Sequence, residues 1–534
     1  MRKISLVAAA VAASLAGTSA FALTPAQIAA DVAAGTITIV NVTGSSAFRD
    51  QMFVTLQKVC AANKDVYGAD ASLNDAAGIS RNTWDGWDPS GAAPFYSYNG
   101  PDFRAYSCTL GAAPAQAPAL GAVAGTDILV YYRAEGGSVY GVAPLALNGK
   151  PMRLDIPNPA AVPAGEAACG QTQQNGVALI ALAKSGFTTW ICPVPSPLLN
   201  TKGLSGPGSD AGAGIPATGG WWLPYDNWQN TAANGGSLPA YAGNVDLVTD
   251  AVSMGVSDVE PAALTQLNYP ANNLMGDGTA LGTGLSAAQL ATLTAVPVIQ
   301  QGFGIIVSNN GTFTPTLTNL SKQTISAILT GKYTKWSQSP EGAGNNINIT
   351  ICRRDPGSGT QTTASIFYGN YYCGGGLEAG TAMKAGNGTT VLQYATTGDV
   401  QACVATHNDS IGISGGPSNP NGGHFVNVDG IAYSQANMLN GSYKEWYEVN
   451  YVKGSNFGSL SASQQALING LIQGTSDAVV AGVAANSDYM YIPSAADSFG
   501  ADNTASLANV AKFVNLTTRG GLSCSGTVVP KNNN

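Results

Sequence analysis

Residues 346–369 read NINITICRRDPGSGTQTTASIFYG. Ile347, Ile349 and Ile351 alternate with polar residues, which predicts a strand entering a buried sheet. Arg353 and Arg354 end that strand. Pro356-Gly357-Ser358-Gly359-Thr360 then makes a tight turn, and a helical run follows with Ala364, Ile366 and Phe367. A Gly-rich turn that opens a helix leaves backbone N–H groups unpaired and aimed at one spot. Ser358 and Thr360 add hydroxyls there, and Arg354 adds a bidentate charge from the strand end. Such a nest suits a small oxyanion. It lacks the lysine of a nucleotide P-loop. The plainer alternative is a strand-turn-helix corner whose arginine makes a structural ion pair.

The rest of the chain bounds the reading. At 534 residues and 45% hydrophobic content it can form two or more ordinary domains with real cores. Only 10% of residues are charged, against about a quarter in an average domain. The polar surface must therefore be mostly Ser, Thr, Asn, Gln and Gly, as in exported proteins. A net charge of −8 argues against nucleic acid or an anionic membrane as partner. It does not argue against a bound anion, because a dry cluster of donors outweighs a distant, screened net charge.

Residues 1–22 have the form of a signal peptide. Arg2 and Lys3 are its basic start, an apolar run follows, and Ala20-Phe21-Ala22 is an A-x-A cleavage site. No cysteine precedes Cys60, so no lipid anchor is expected. No other apolar run approaches the length of a membrane span. The expected location is a Gram-negative periplasm or beyond it. All eight cysteines (60, 108, 169, 192, 352, 373, 403 and 524) lie in the exported part, which favours disulfides. There is no CxxC, and His407 and His424 are the only imidazoles. A zinc site is not expected.

Taken in order, residues 36–42 predict a short strand. Gly44-Ser45-Ser46-Ala47 follows, then a helix with Phe48, Met52, Leu56 and Val59 on one face, capped by Ser45 or Ser46. Arg49 in its first turn reads as a surface side chain or as a second cation at a ligand. Residues 60–124 look loop-like, with Trp84, Trp87, Tyr96, Tyr98 and Phe103 packing the loop to the body. Residues 127–132 predict a buried strand ending in a third turn of the same kind, Glu135-Gly136-Gly137-Ser138. Residues 143–243 read as a folded decoration covering Trp221, Trp222 and Trp228, with a helix near 177–184 bracketed by Cys169 and Cys192. Gly255-Val256-Ser257-Asp258-Val259-Glu260-Pro261 is a fourth turn. Residues 296–307 suggest a hairpin or a crossover strand. Ser321 caps a helix that stops at Gly331, residues 391–406 read as a helix, and 410–414 as a strand. Strands are expected at 425–431 and 442–452. Residues 461–472 predict a helix stopped by Gly474. No internal repeat is present.

Four segments now stand in order: TGSSAF, EGGS, GVSDVEP and RRDPGSGT. LTNLSKQTISAILTGKYTKW lies before the last, and Ser410-Ile411-Gly412-Ile413 after it. The series resembles the periplasmic phosphate-binding protein of bacterial ABC transporters, in the type II periplasmic-binding superfamily. The resemblance covers about half of the mature chain. It implies an α/β fold of two lobes, mixed sheets flanked by helices, closing on one anion. Lobe 1 would be residues 23–297 plus 412–534, with insertions near 61–124 and 141–243; lobe 2 would be 298–411. It further implies that Arg354, Ser358, Gly359 and Thr360 bind from one lobe. Ser45, Ser46, the Phe48 backbone N–H, Ser138 and Asp258 would bind from the other. Asp258 would accept the proton of monohydrogen phosphate, a proton that sulfate lacks. No cofactor is implied, and the implied partner beyond the anion is an ABC permease. Two positions depart from the family pattern. Its ligand threonine before the Phe is Ala47 here, and its acid two residues after the Arg is Pro356, with Asp355 beside it. These departures admit related oxyanions such as phosphonate, tungstate or an organic phosphate.

Three functions follow. The first is an exported binding protein, for uptake or scavenging. The second is a structural or surface-assembly protein on the same lobes, suggested by the uncharged insertions and Ala47. The third is a phosphatase-like hydrolase using Ser358 or Thr360, which would need a base or metal within reach.

Overall fold

The structure, a computed structural model, describes residues 23–69, 103–134, 137–154, 187–192, 247–265, 279–282, 284–354, 357–369, 390–394, 397–415, 422–477, 489–492 and 517–526, with a few isolated positions. The helix expected near 177–184 and the loop tryptophans lie outside the described residues.

The strands are β1 (Thr38–Gly44), β2 (Cys60–Ala69), β3 (Phe103–Leu110), β4 (Asp127–Arg133), β5 (Met152–Leu154), β6 (Thr188–Cys192), β7 (Leu247–Thr249), β8 (Met254–Ser257) and β9 (Thr294–Ser308). Then come β10 (Asn319–Leu320), β11 (Thr350–Arg354), β12 (Thr390–Tyr394), β13 (Ser410–Gly415), β14 (Gly423–Phe425), β15 (Asn427–Val428), β16 (Trp446–Lys453) and β17 (Tyr489–Met490). One mixed sheet runs β12-β11-β13-β9-β16-β8-β1-β4-β3-β2-β6, with β14 and β17 also on β9. Two short pairs, β5 with β7 and β10 with β15, stand apart from it. The helices that matter below are α1 (Pro25–Ala34), α2 (Arg49–Val59), α3 (Gly137–Tyr140), α4 (Lys322–Leu329), α5 (Gly359–Gly369), α6 (Thr397–Thr406) and α7 (Ala462–Ser476). This is an α/β architecture, a mixed sheet flanked by helices, as in a two-lobed periplasmic-binding-protein fold. None of the described helices is long and apolar enough to cross a membrane.

β9 is the spine. Its first half pairs antiparallel with β16, and its second half with β13 and β14. The hairpin or crossover expected at 296–307 is this single crossing strand. Pro297 has no N–H to give the ladder, and the register with β16 shifts between Val449 and Asn450, opposite Pro297 and Ile299. A bulge is where a strand tolerates proline. One apolar cluster follows the spine, from Val40 and Val42 through Val298, Ile305 and Ile351 to Trp446.

Other expectations change at the described residues. The segment 60–124 is not simply loop: β2 and β3 pair antiparallel within the sheet and are tied by a Cys60–Cys108 disulfide. Residues 391–406 are a strand and then a helix, with β12 parallel to β11. α7 continues past Gly474 to Ser476. A Cβ on Gly474 would sit 3.3 Å from both Thr55 and Val480, so this glycine serves close packing and does not stop the helix. Neither Ser45 nor Ser46 caps α2; its N-cap is Phe48, with no side-chain cap bond. Ser321 does cap α4, and Ser461 forms a capping box on α7. Further disulfides join Cys352 to Cys403 and Cys373 to Cys524, and Cys169 is also disulfide-bonded.

Candidate anion site

The four turns converge. β11 delivers Arg354, which is almost fully buried. Its Nη1 donates to Thr397 Oγ1 at 3.0 Å, and its Nη2 to Ser46 Oγ at 3.4 Å, a residue 308 positions away. Its backbone N–H donates to Gln361 Oε1 at 3.3 Å. The guanidinium is thus held between the start of α6, the turn before α2 and the strand that leads into α5. Three helix N-termini gather around one cation, and each adds partial positive charge.

α5 begins at Gly359, pressed against the opposite turns. A Cβ there would fall 2.3 Å from Ser138 Oγ and 2.6 Å from Asp258 Cβ, so only glycine permits the approach. Gly137 meets the same turn from the other side: its φ is +65° and an added Cβ would lie 2.8 Å from the Gly357 carbonyl oxygen. Val139 N–H donates to that oxygen at 3.2 Å. Thr362, Thr363 and Ser365 return their hydroxyls to the carbonyls of Ser358, Gly359 and Gln361. This satisfies the hydroxyls of Thr362, Thr363 and Ser365 in a helix buried on nearly every side.

The hydroxyls are oriented by the backbone. Ser358 Oγ accepts from Gln361 N–H at 3.3 Å, capping its own helix, and Ser138 Oγ accepts from Asp258 N–H at 3.0 Å. Each keeps its hydrogen to donate elsewhere. Thr360 Oγ1 donates to Asp258 Oδ2 at 3.3 Å and lies 3.4 Å from the Tyr447 hydroxyl, which donates to Gln301 Oε1 at 2.8 Å. Tyr132 donates to the Ser45 carbonyl at 2.5 Å and fixes that turn.

Asp258 sits at the centre. Burial raises its carboxyl above the usual range; Ser45, the Arg354 charge and Thr360 pull it back only partly. Ser45 Oγ is close enough to exert that influence but falls short of hydrogen-bond geometry. Among the described residues, Asp258 Oδ1 and Ser45 Oγ are buried with no hydrogen-bond partner. Phe48 is also buried, its ring edge-on to Tyr451 with centroids 5.4 Å apart, so its place at the head of α2 is fixed by packing. Ser45, Ser46, Ser138, Asp258, Arg354, Ser358, Gly359 and Thr360 therefore share one neighbourhood, with Phe48 at its edge. Asp355 and Pro356 lie outside the described residues.

Sequence reasoning missed Thr397, Gln361, Tyr447 and Gln301. None belongs to a motif; Gln361 alone, one residue past the turn, carried a positional hint. Arg49, read as a surface side chain or a cation at the ligand, is half-buried beside Ser46 at the head of α2. The two histidines make local contacts instead. His407 Nδ1 lies 2.9 Å from the Cys403 carbonyl oxygen, and His424 bridges Asn309 Oδ1 and the Leu317 carbonyl at 2.7 Å each. Cys352, Cys403 and His407 form the one described cluster with metal-ligand spacing. Its two sulfurs are committed to their disulfide.

Residues 281–492 match the family model of the PBP superfamily domain. No curated protein matches the chain. Among solved structures the chain is similar to an ancestral soluble variant of the human phosphate binding protein, at 14% identity over 62% of this chain and 93% of that one, TM-score 0.31. It is similar to an ABC-type phosphate transport receptor from Vibrio cholerae, at 15% identity over 41% and 74%, TM-score 0.29. A phosphate binding protein from Stenotrophomonas maltophilia matches at 14% identity over 50% and 72%, TM-score 0.28. The matched stretch, from Leu281 to Ile492, carries Arg354 and its turn.

Proposed function

We propose that this is an exported solute-binding protein that holds phosphate, or a closely related oxyanion, between two lobes. The lobes are residues 23–297 plus 412–534, and 298–411, with β9 and β16 running along the boundary. Arg354, Ser358, Gly359 and Thr360 bind from one side. Ser45, Ser46, the Phe48 N–H, Ser138 and Asp258 bind from the other. The protein works in the periplasm or outside the cell, by delivery to an ABC permease or by scavenging. Binding involves no bond making, so the protein is not an enzyme on this reading.

One observation carries the proposal: a buried carboxylate oxygen, Asp258 Oδ1, without a donor, beside a buried guanidinium and three helix N-termini. Positive charge and hydroxyl donors call for an anion. The bare acceptor calls for a proton on that anion. Monohydrogen phosphate has both; fully ionised sulfate would set lone pairs against a buried carboxylate. Ala47 removes one hydroxyl, and Ser45 and Ser46 stand beside the gap.

Titration calorimetry with phosphate and with sulfate tests this. The expected result is 1:1 phosphate binding and no heat with sulfate. No heat with either anion sinks the binding reading and leaves the second, a surface-assembly protein on the same lobes, which the uncharged insertions and Ala47 favour and which filaments in micrographs would support.

A further inference from the structure

Leu23 is the first residue after the A-x-A site, and it is 1% exposed. Its backbone nitrogen donates to Asp65 Oδ2 at 2.7 Å. Its carbonyl accepts from the Tyr67 hydroxyl. Asp65 stands on β2 and is fully buried. Trp190 Nε1 donates to its Oδ1 at 2.9 Å, and Ser107 Oγ to its Oδ2 at 3.5 Å. The Tyr67 and Trp190 rings stack beside it, centroids 6.1 Å apart and 13° from parallel. Immediately after Leu23, Thr24 caps α1 and Pro25 opens it, so the chain leaves this pocket in a fixed direction. Among the described residues no lysine or arginine contributes to the field at Asp65, and burial pushes its carboxyl up to about 6. A fully buried carboxylate ordinarily has a cation for partner.

We propose that removal of residues 1–22 supplies the cation: the new α-ammonium of Leu23 pairs with Asp65, and this pair locks the processed N-terminus onto the sheet. The proposal rests on the reading of the chain as exported. The step is hydrolysis of the Ala22–Leu23 amide by a signal-cleaving peptidase. Water adds across the bond, leaving a carboxylate on Ala22 and an ammonium on Leu23. Before cleavage that nitrogen carries one hydrogen and no charge. Afterwards it carries three hydrogens and a positive charge, since an α-amino group titrates near 8. The product is a buried, hydrogen-bonded ion pair whose partners are each costly to leave alone. Asp65, Trp190, Ser107 and Tyr67 form a receptor for a chain end, separate from the anion site.

The test starts from the full-length chain exported by a bacterial host. Intact mass is expected to place the N-terminus at Leu23. A chain that retains residues 1–22 overturns the export reading and this inference together; cleavage at another bond overturns this inference alone. The native mature protein is then treated with an amine-acylating reagent at neutral pH. Acylation of the Leu23 amine is expected to be at least roughly tenfold slower than in Asp65→Asn, where the buried partner is lost. Equal rates overturn the inference while leaving the export reading standing. A second measurement needs no substitution. A chain made with Met-Ala ahead of Leu23, whose nitrogen stays an amide, should melt below the mature chain, and that gap should close in Asp65→Asn. Equal melting of the mature and extended chains overturns the inference.

Discussion

Asp409 and Asp258 are both buried aspartates at the ends of secondary structure, and they are treated oppositely. Asp409 faces the loop after β9. Its Oδ1 accepts from Phe313 N–H at 2.8 Å and Thr314 N–H at 2.9 Å, and its Oδ2 accepts from Thr312 N–H at 3.0 Å. Its carbonyl accepts from Trp336 Nε1 at 2.8 Å. Gly311 leaves room for the carboxylate, since a Cβ there would fall 2.3 Å from Oδ2. This acid is saturated by its own chain. Asp258 has Thr360 on one oxygen, while its other oxygen makes no hydrogen bond, with the Ser45 hydroxyl near the carboxyl. A carboxylate whose lone pairs are filled locally is structural; one left short in a dry place fits the proposed anion site.

The comparison predicts opposite phenotypes. Asp409→Ala strands the buried N–H groups of Phe313 and Thr314, at about 1–3 kcal/mol each, and frees the exposed Thr312 N–H to water at about 1 kcal/mol. Urea unfolding should show a loss of roughly 3–6 kcal/mol, the largest effect expected here, with the phosphate affinity of the folded fraction unchanged. A tolerated Asp409→Ala would break the contrast. Arg354→Ala should act the other way round. It removes a charged donor from a desolvated site, so phosphate affinity should fall by about 2–4 kcal/mol, roughly 30- to 900-fold by calorimetry. Stability without ligand should change much less.

Asp258→Asn sharpens the contrast through pH. Burial holds this carboxyl above its usual range, so its stabilising form is the neutral one. That contribution is fully present below about pH 4, the unfolded value, and is lost as pH rises through the folded value. Arg354, the charge facing it, opposes the loss only in part. At neutral pH the ligand-free Asn variant should therefore melt above the wild type, and the difference should vanish in acid. The same change should weaken phosphate and narrow its margin over sulfate. A ligand-free variant that melts lower at neutral pH would place Asp258 with Asp409.

The sequence carried the turns because each is written locally: alternating apolar residues, then glycines and hydroxyls. Arg354, Ser358, Gly359, Thr360, Ser138 and Asp258 are all legible that way. The sheet was less legible. β2 reads CAANKDVYGA, with Asn, Lys and Gly breaking the alternation, and only its partners β3 and β6 make it a strand. β12 is five residues long and leads straight towards α6, so periodicity merged the two. β9 is interrupted by Pro297, Gly302 and Gly304. A Cβ at Gly302 would fall 2.2 Å from Met438 Sδ, and one at Gly304 would fall 2.7 Å from Phe425. These glycines serve packing from above the sheet, which no local pattern can report. Thr397 and Tyr447 reach the site because β12 lies beside β11 and β16 beside β9. Their position is a product of topology.

Thr397 gives the smallest and most discriminating test. It is half-buried at the start of α6, and its hydroxyl accepts one guanidinium hydrogen bond at 3.0 Å. Thr397→Val keeps the shape and removes that acceptor. A hydrogen bond to a charged group is worth about 1.5–3 kcal/mol when its partner is desolvated, and partial exposure here should bring the effect nearer 1 kcal/mol, about fivefold in affinity. If the guanidinium is positioned for a ligand, the loss should appear in phosphate binding and leave ligand-free melting nearly unchanged. If Arg354 is instead a structural cation, the loss should appear in melting alone. The ratio of the two effects thus decides whether Arg354 is a ligand-binding or a structural cation.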